Sequence, residues 1–370
     1  MSLVQRALGL MSGTSMDGID IAAIETDGES FVRRLAQAHV PYEPAFRALL
    51  RQAVAEAGQL ADRAGRPGCL ADAEARLTEL HAAVANKFIA SHNWSAADFT
   101  IAGFHGHTLL HRPERQLTVQ IGDGQYLADA TGLTVVYDMR AADVAAGGQG
   151  APLAPAYHVA MAGKIPERPV AVVNIGGVAN VTWIGHGGAL IAFDTGPGNS
   201  AIDDWMLRHT NVPQDGDGAM AATGDVNQMI LDELLTHPYF AQLPPKSLDR
   251  NAFDYSAINE LSLADGAATL TAFSAKSIGK AAFHFPQEPE LWVICGGGRR
   301  NKTLMSMLAA AVENAVVPAE AIGFNGDMVE AEAWAYLAVR AGKRLPLSYP
   351  GTTGVGEPIT GGRIATPKAR

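Results

Sequence analysis

Short apolar runs separated by glycine-rich turns shape the first forty residues of the chain. One apolar run covers residues 4–10, a Ser/Gly/Thr/Asp cluster follows it, and a second apolar run covers residues 19–24. Two such runs around a turn predict a β-hairpin, and the alternation over residues 30–40 predicts a third strand. The turn is longer and richer in hydrogen-bond donors than the two residues that a hairpin needs.

Helical periodicity and short buried runs alternate over the rest of the first half. Apolar side chains recur at three- and four-residue spacing in residues 42–57 and 71–90, which predicts two helices. The predicted buried face of the second helix consists of Leu77, Leu80, Val84 and Phe88. Further strands are predicted at residues 99–104, 117–121 and 134–137, and a further helix at residues 124–131.

The same pattern begins again after Arg168-Pro169. Two apolar runs flank Gly176-Gly177 and a third run follows them, so residues 170–174, 178–184 and 190–193 are predicted strands. The half ends with predicted strands at 291–295 and 321–324, each followed by a predicted helix, at 302–312 and 328–340. We therefore expect an α/β fold with an internal duplication, in which residues 1–168 and 169–370 are the two domains.

The second domain carries extra sequence that the first lacks. We expect a helical insertion near residues 201–259. Within it, the Pro-Pro-Lys-Ser run at residues 244–247 predicts an exposed loop.

Composition supports two domains and excludes several classes of protein. A chain of 370 residues exceeds the ~250–300 residues at which single cores stop growing. The 28 Lys and Arg against 38 Asp and Glu give a net charge of -10, which is unlike a nucleic-acid binder. No apolar run of ~18 residues and no signal peptide is visible. With two cysteines only, we expect a cytoplasmic protein without nucleic-acid or membrane partners.

Asp194 is the first candidate for chemistry, because it follows a buried strand and precedes Gly196-Pro-Gly198. Ligands of α/β sheets gather at the carboxyl ends of strands. A carboxylate that is partly desolvated there suits a general base or a metal ligand. The alternative is a structural role, in which Asp194 forms an Asx-turn or caps the helix that begins near Ser200.

The glycine turns form a second group of candidates. Residues 13–18 (Gly-Thr-Ser-Met-Asp-Gly) can form a backbone nest for phosphate, although they are not a Walker A loop. Asp17 could hold Mg²⁺ or simply form the turn. Gly176-Gly177 and residues 296–298, three glycines, could admit a nucleotide against bare backbone. Each turn is weak support alone, and the set gains weight if a duplicated fold directs them to one cleft.

Histidines and acids at other predicted element ends leave more than one possibility open. His105, His107 and His111 could begin a metallohydrolase site, contact a substrate, or be hydrogen-bonded structural residues. Asp138 ends a strand of the same half, so it could line the same pocket. Glu330 opens the last helix, where it could reach a metal or compensate the helix dipole.

Five motifs, taken in chain order, resemble the anhydro-N-acetylmuramic acid kinase family. They are residues 9–20 (GLMSGTSMDGID), 143–153 (DVAAGGQGAPL), 174–177 (NIGG), 193–199 (FDTGPGN) and 295–298 (CGGG). The family belongs to the actin/Hsp70/hexokinase-like superfamily. The resemblance therefore implies two duplicated actin-like (ribonuclease H-like) domains around a nucleotide and sugar cleft, and possible homodimers are a family expectation.

The resemblance also implies a double reaction that belongs to peptidoglycan recycling. The enzyme would hydrolyse the 1,6-anhydro ring of 1,6-anhydro-N-acetylmuramic acid and phosphorylate O6 with ATP and Mg²⁺, giving N-acetylmuramate 6-phosphate and ADP. Asp194 would deprotonate the attacking water. Other sugar or acyl kinases of the superfamily, and a His-centred metallohydrolase, are the alternatives.

The candidate binding residues, some implied by the resemblance and some by their positions in the chain, fall into three sets. The nucleotide set is Gly13, Thr14, Ser15, Met16, Asp17, Gly18, Ile19, Asp20, Gly176, Gly177, Gly296, Gly297 and Gly298. The sugar set is His105, Gly106, Asp138, Gly196 and Asn199. The Mg²⁺ set is Asp17 and Glu330. Where many relatives have Gln, this chain has His107.

Overall fold

The computed structural model describes residues 3–368. Residues 1–2 of the first predicted domain and 369–370 of the second lie outside it. The chain forms two compact units. Unit 1 consists of Met1–Gly163 together with Glu330–Arg370, and unit 2 is Lys164–Val329. The first division lies five residues before the predicted boundary at 168/169. The second division differs from the predicted domains. The last helix was expected in the second domain, but residues 330–370 belong to unit 1.

Thirteen strands and eleven α-helices occur in the described part of the chain. The strands are β1 (Gln5–Met11), β2 (Gly18–Thr26), β3 (Val32–Pro41), β4 (Ile101–Phe104), β5 (His107–Arg112), β6 (Leu117–Ile121), β7 (Val135–Tyr137), β8 (Val170–Ile175), β9 (Val178–Ile184), β10 (Leu190–Pro197), β11 (Leu291–Cys295), β12 (Ala315–Pro318) and β13 (Arg363–Ala365). The helices are α1 (Pro44–Ala57), α2 (Leu70–Ser91), α3 (Gly124–Thr131), α4 (Arg140–Ala145), α5 (Pro155–Ala162), α6 (Ser200–Thr210), α7 (Gln228–Leu234), α8 (Leu263–Lys280), α9 (Lys302–Ala311), α10 (Val329–Gly342) and α11 (Pro350–Thr353).

The two units contain sheets of the same topology. In unit 1 the strand order is β3-β2-β1-β4-β7-β13, and in unit 2 it is β10-β9-β8-β11-β12. In each sheet three neighbouring strands are antiparallel, β3-β2-β1 in unit 1 and β10-β9-β8 in unit 2. Two further strands run parallel to β1 or β8, namely β4 and β7 in unit 1 and β11 and β12 in unit 2. This repeated topology confirms the predicted duplicated α/β fold.

Helix α10 belongs to unit 1 because two glycines let it approach the sheet. A Cβ added at Gly9 in β1 would lie 1.8 Å from the carbonyl oxygen of Ala331. A Cβ added at Gly103 in β4 would lie 2.1 Å from that of Trp334. Beyond α10, β13 adds an antiparallel strand to the edge of the same sheet. The chain therefore returns to unit 1, which the linear pattern of elements does not show.

Helix α2 packs on unit 1 with a slightly different face from the one predicted. Leu77, Val84 and Phe88 are buried, but Leu80 is 37% exposed. His81 takes its place at the four-residue spacing, fully buried, with its Nδ1 2.8 Å from the carbonyl oxygen of Leu77. Nδ1 is hydrogen-bonded within its own helix, while Nε2 is buried without a partner among the described residues. Burial lowers the pKa of His81 to about 4, so the core position holds a neutral imidazole.

Three further differences concern short elements. Residues 321–324 were predicted to form a strand, but they cover the end of a 3₁₀ turn, Ala319–Ile322, and the two residues after it. The strand in this region is β12, which lies just before that turn. The β-branched pair at 316–317 pairs with β11 instead. Strand β5 was not predicted, and it forms a two-stranded sheet with β6. Within residues 3–368, no helix has both the length and the apolar character needed to span a lipid bilayer.

Candidate active site

Asp194 lies near the carboxyl end of β10, where the strand is irregular. The pairing between β10 and β9 shifts between Asp194 and Gly196. Bulges of this kind re-aim side chains and are common beside active sites. Gly196 also passes close to α8, since a Cβ added there would lie 2.6 Å from the Cβ of Ser277. Helix α8 and β9 thus fix the backbone on which the Asp194 carboxyl group is placed.

The surroundings of the Asp194 carboxyl group tune it for proton transfer near neutral pH. Burial raises its pKa to about 7, and a hydrogen bond that Oδ2 accepts from the amide of Leu248, at 2.8 Å, opposes that rise. Its partner is 54 residues away in sequence, so this is not a local Asx-turn. The α6 N-cap is Asn199, not Asp194. These observations favour the general-base interpretation over the structural one.

The segment of residues 239–248, which we call the clasp segment, makes three hydrogen bonds with Asp194, including the one from the Leu248 amide. The Tyr239 hydroxyl donates to the Asp194 carbonyl oxygen, and the Asp194 amide donates to the Lys246 carbonyl oxygen at 3.0 Å. Lys246 itself is only 8% exposed, so the prediction of an exposed loop at residues 244–247 is wrong for this residue. Its ammonium group is bound by backbone carbonyls, as described below, and therefore does not need bulk water.

Asn199 joins the first two glycine turns of unit 2. Its side-chain amide donates to the carbonyl oxygens of Ile175, at 3.2 Å, and Gly176, at 3.1 Å. Its backbone amide donates to Gly176 as well, at 2.8 Å, while that of Gly198 donates to Gly177 at 2.9 Å. The structure therefore brings the turn after β8 and the turn after β10 together, with Asn199 as the connection.

The three glycines after β11 complete this group. Gly296 has a φ of +75°, and a Cβ at Gly298 would lie 2.2 Å from Cγ2 of Ile175. Any side chain at Gly298 would thus collide with the strand that leads into the Gly176-Gly177 turn. All five glycines predicted to bind nucleotide in unit 2 lie in one small region. They leave bare backbone that a ligand can approach.

Arg299, which was not among the predicted site residues, fixes the last glycine turn. Its side chain is 7% exposed and forms ion pairs with Asp327, at 2.6 Å, and Glu320, at 2.8 Å. It also donates to the Gly296 carbonyl oxygen at 2.8 Å. These partners raise its pKa, led by the hydrogen bonds that Arg299 donates to Asp327. Its place directly after a glycine run was the available signal.

The predicted phosphate turn of unit 1 presents an accessible tip. Thr14, Ser15 and Asp17 are exposed, whereas Gly18 and Ile19 are buried, with Ile19 in the unit 1 core. The tip is ordered by two local hydrogen bonds, from the Met16 amide to the Gly13 carbonyl oxygen at 3.0 Å and from Ser15 Oγ to Asp17 Oδ1 at 2.8 Å. Ile19 can therefore offer a ligand only its backbone.

Ser12, at the base of this turn, belongs to a buried hydrogen-bonded line. The Tyr42 hydroxyl donates to Ser12 Oγ at 2.8 Å, and Ser12 Oγ lies 3.0 Å from Nδ1 of His107. Burial lowers the pKa of His107 to about 4, so the imidazole is neutral at physiological pH. His107 thus stabilises the base of the turn through Ser12, a role that its sequence position alone does not indicate.

His105 and His111 are also held by protein groups. His105 Nδ1 must donate to the Gly106 carbonyl oxygen at 2.9 Å, which leaves Nε2 to accept from Arg140 at 3.4 Å. His111 Nε2 donates to the Gln149 carbonyl oxygen at 2.8 Å. Among residues 3–368, no set of three or more His, Cys, Asp and Glu side chains is arranged to hold a metal ion. The three histidines therefore do not form a metallohydrolase centre in this arrangement.

A cavity of about 510 Å³ in unit 1 contains three of the five residues predicted to bind sugar. They are His105, Gly106 and Asp138, which meet at the ends of β4 and β7. The remaining charged and amide side chains of the cavity wall are Arg63, Arg66, Glu74, Gln120, Asp123, Gln125 and Arg363. Cavities of this size accommodate small molecules. The other two predicted sugar residues, Gly196 and Asn199, belong to unit 2.

Carboxylates of unit 1 that could hold Mg²⁺ influence one another. Desolvation raises the pKa of Glu330, Asp20 and Asp17 add to the rise, and Arg140 opposes it. Asp20 also lies 2.7 Å from Nδ1 of His39. Oxygen ligands are what Mg²⁺ prefers, and it commonly uses one or two carboxylates together with waters and substrate phosphates. The donor chemistry of Asp17 and Glu330 fits that ion without a dedicated cage.

Comparison with known proteins gives one consistent family. A family model described as anhydro-N-acetylmuramic acid kinase matches residues 5–367. An anhydro-N-acetylmuramic acid kinase of Agrobacterium fabrum (strain C58) is 50% identical over 98% of this chain and 99% of its own length. One from Rhodopseudomonas palustris (strain BisB18) is 52% identical over 98% and 100%. Among solved structures, the activator of the 2-hydroxyisocaproyl-CoA dehydratase from Clostridium difficile is 12% identical, with a TM-score of 0.45 over 91% and 96%.

Proposed function

The chain belongs to the anhydro-N-acetylmuramic acid kinase family, and we propose from this that it converts 1,6-anhydro-N-acetylmuramic acid and ATP to N-acetylmuramate 6-phosphate and ADP. The reaction serves peptidoglycan recycling. The observation that carries the mechanism is the Asp194 carboxyl group in the second half of β10, half-buried and with a pKa that desolvation raises to about 7. A carboxylate with this pKa is substantially ionised at neutral pH and is also a stronger base than an ordinary aspartate.

Asp194 removes a proton from the water that attacks C1 of the sugar. The C1–O6 bond of the anhydro ring breaks, and the electron pair of that bond stays on O6. The freed O6 then attacks the γ-phosphorus of ATP, and ADP leaves. Positioning and electrostatic stabilisation supply most of the catalysis in phosphoryl transfer, so the glycine turns and a general base suffice without a covalent intermediate.

The nucleotide is assigned to the glycine turns. Gly176, Gly177 and residues 296–298 are supported as binding residues by their common location in unit 2. The exposed tip of the turn at residues 13–17 is assigned to the phosphates. Mg²⁺ held near Asp17 and Glu330 would neutralise charge on the phosphates during transfer. The nucleotide assignment therefore falls in unit 2, and the phosphate and Mg²⁺ assignments fall in unit 1.

The sugar is assigned to the unit 1 cavity beside His105, Gly106 and Asp138. Asp138 lies against Arg63, and desolvation raises its pKa despite that partner. His105 is neutral, because burial and Arg140 lower its pKa well below the usual value. The wall thus offers arginine donors and carboxylate acceptors, which suits hydroxyl, acetamido and carboxylate groups of an amino sugar acid.

Substrate comparison tests this proposal. ADP release is measured with Mg²⁺-ATP and either 1,6-anhydro-N-acetylmuramic acid or N-acetylmuramic acid, for the wild type and Asp194→Asn. The proposal predicts ADP release with the anhydro sugar only, reduced about 10²–10⁴-fold in the variant. Equal rates with both sugars would indicate an ordinary 6-kinase. Release with neither sugar would contradict the assigned substrate.

A further inference from the structure

Lys246 is a buried cation whose partners are neutral. Its Nζ lies 3.0 Å and 3.4 Å from the carbonyl oxygens of Tyr239 and Phe240, and 3.1 Å from Nε2 of His284. The ammonium group is also 4.7 Å from the centre of the Tyr239 ring. Within residues 3–368, no carboxylate forms an ion pair with it. A buried charge without an opposite charge is costly for a protein to keep, so its contacts indicate a specific role.

The contacts of Lys246 close the clasp segment on itself. Its side chain binds the carbonyl groups at the start of the segment, at Tyr239 and Phe240, while its own carbonyl group accepts the Asp194 amide. The neighbouring groups of the segment complete the hold on Asp194: the Tyr239 hydroxyl donates to its carbonyl oxygen and the Leu248 amide donates to its carboxylate. The Lys246 side chain thus ties the Tyr239 end of the segment to the backbone that carries the Lys246 carbonyl group and, two residues later, the Leu248 amide.

We propose that Lys246 is a positioning residue for Asp194, which it serves by holding the clasp segment closed. The inference rests on the proposed function, because it assumes that Asp194 is the base. Lys246 does not touch the reacting atoms in this role. It acts through the Leu248 amide, which donates to the carboxylate, and through the Tyr239 hydroxyl, which donates to the backbone carbonyl oxygen of Asp194.

Few titratable groups face this arrangement. Burial lowers the pKa of Lys246 to about 8. Burial, followed by the Asp194 charge, raises the pKa of Tyr239. Burial and the Lys246 charge lower the pKa of His284. From the other elements, β9 places the uncharged Asn180 opposite Asp194 and α8 places Ser277 beside Gly196. Lys246 is therefore the cation of this group at neutral pH.

Opening the clasp segment has a signature that general destabilisation does not have. The Leu248 amide lowers the pKa of Asp194. When Lys246→Met releases the segment, that hydrogen bond weakens, and the pKa of Asp194 rises by about one unit. The acidic limb of kcat/KM for the sugar shifts to higher pH by the same amount. A displaced base also lowers kcat about 10- to 100-fold, while the KM for ATP stays within about twofold of wild type because the nucleotide glycines lie outside the segment.

The experiment compares wild type, Lys246→Met, Tyr239→Phe and a control, Lys276→Met, which removes an exposed lysine of α8. Two measurements are made on the full chain. The first is the pH profile of ADP release with the anhydro sugar. The second is a ¹³C NMR titration of labelled aspartate carboxyl groups without substrate, in which the Asp194 signal is identified by its loss in Asp194→Asn.

We expect Lys246→Met to shift both the kinetic limb and the Asp194 titration upward, and Lys276→Met to shift neither. A lower kcat with an unchanged limb and an unchanged titration would overturn the positioning role. If Lys246→Met does not fold, Tyr239→Phe decides: it must lower kcat by about three- to tenfold, and wild-type kinetics would refute the proposal. If the wild type does not turn over the anhydro sugar, the proposed function fails, while the NMR titration still tests Lys246.

Discussion

Asp194→Asn should make unit 2 more stable above pH 7 while it removes turnover. The native carboxyl group titrates at about 7 instead of 3.8, because burial disfavours its charge. At low pH the group is protonated in both the folded and the unfolded chain and imposes no penalty. As pH rises from 3.8 to 7, the unfolded chain loses this proton first, so the free energy of unfolding falls. Above 7 both forms are ionised and the penalty is constant.

The size of the effect follows from the two pKa values. Each pH unit between them changes the free energy of unfolding by about 1.4 kcal/mol. Between pH 5 and pH 8, wild type therefore loses about 3 kcal/mol that Asp194→Asn retains, since asparagine does not titrate. For a domain of 150–250 residues, a change of about 1 kcal/mol shifts the melting temperature by about 2–4 °C. The variant should gain roughly 6–12 °C over wild type between these two pH values.

The assay is thermal unfolding of both proteins at pH 5 and pH 8, followed by tryptophan fluorescence, with ADP release measured on the same samples. The comparison is the difference between variant and wild type at each pH, which removes contributions from all other titrating groups. Asp203→Asn in α6 is a demanding control. Its pKa is also raised to about 7 by burial, so it should gain stability in the same pH range without losing the water-activating base.

Two results would contradict this prediction. If the difference in melting temperature is the same at pH 5 and pH 8, Asp194 is not the desolvated acid that the structure shows. If the stability difference appears but Asp194→Asn retains near-wild-type turnover, the burial is correct and the assignment of Asp194 as the base is wrong.

Other substitutions test the glycine turns and the acidic group. Gly298→Ala places a Cβ 2.2 Å from Ile175 Cγ2, so it should cost about 1–3 kcal/mol of stability and raise the KM for ATP at least about tenfold; an unchanged KM would show that nucleotide does not need this turn. Arg299→Met removes the ion pairs that hold the same turn and should raise the KM for ATP about tenfold with a smaller change in kcat; a fall in kcat alone would contradict this. Glu330→Gln should raise the Mg²⁺ concentration for half-maximal rate about tenfold, whereas Glu357→Gln, on an exposed residue, should not, and equal Mg²⁺ dependence would exclude Glu330 from the metal site.

Local signals in the sequence predicted much of the fold. The hairpin of β1 and β2, helix α3 and strand β11 follow directly from apolar periodicity and glycine breaks, because both act over a few residues. The duplication also follows, since the two halves repeat the same order of elements. The family assignment from the ordered motifs is confirmed by the family match.

Contacts between distant parts of the chain were not predictable in the same way. Helix α10 packs in unit 1 because two glycines, 9 and 103, leave room for it, and neither glycine signals its partner. The sequence around Lys246, a proline-containing loop, predicts a surface lysine. Its burial depends on a contact with the Tyr239 carbonyl oxygen, which the sequence does not indicate. Arg299 gains its role from Asp327, 28 residues later. The assigned binding residues themselves stay predictions for the experiments above.

Isotope tracing in ¹⁸O-labelled water shows whether the enzyme couples hydrolysis of the anhydro ring to phosphorylation of O6. The product is analysed at early times, with unlabelled N-acetylmuramate 6-phosphate incubated without enzyme as the control for spontaneous exchange at C1. If water attacks C1 and O6 keeps its own oxygen, the product carries one ¹⁸O in the C1 hydroxyl group and none in the oxygen that joins C6 to phosphorus. An unlabelled C1 hydroxyl group, or label in the phosphate ester bridge, would contradict it.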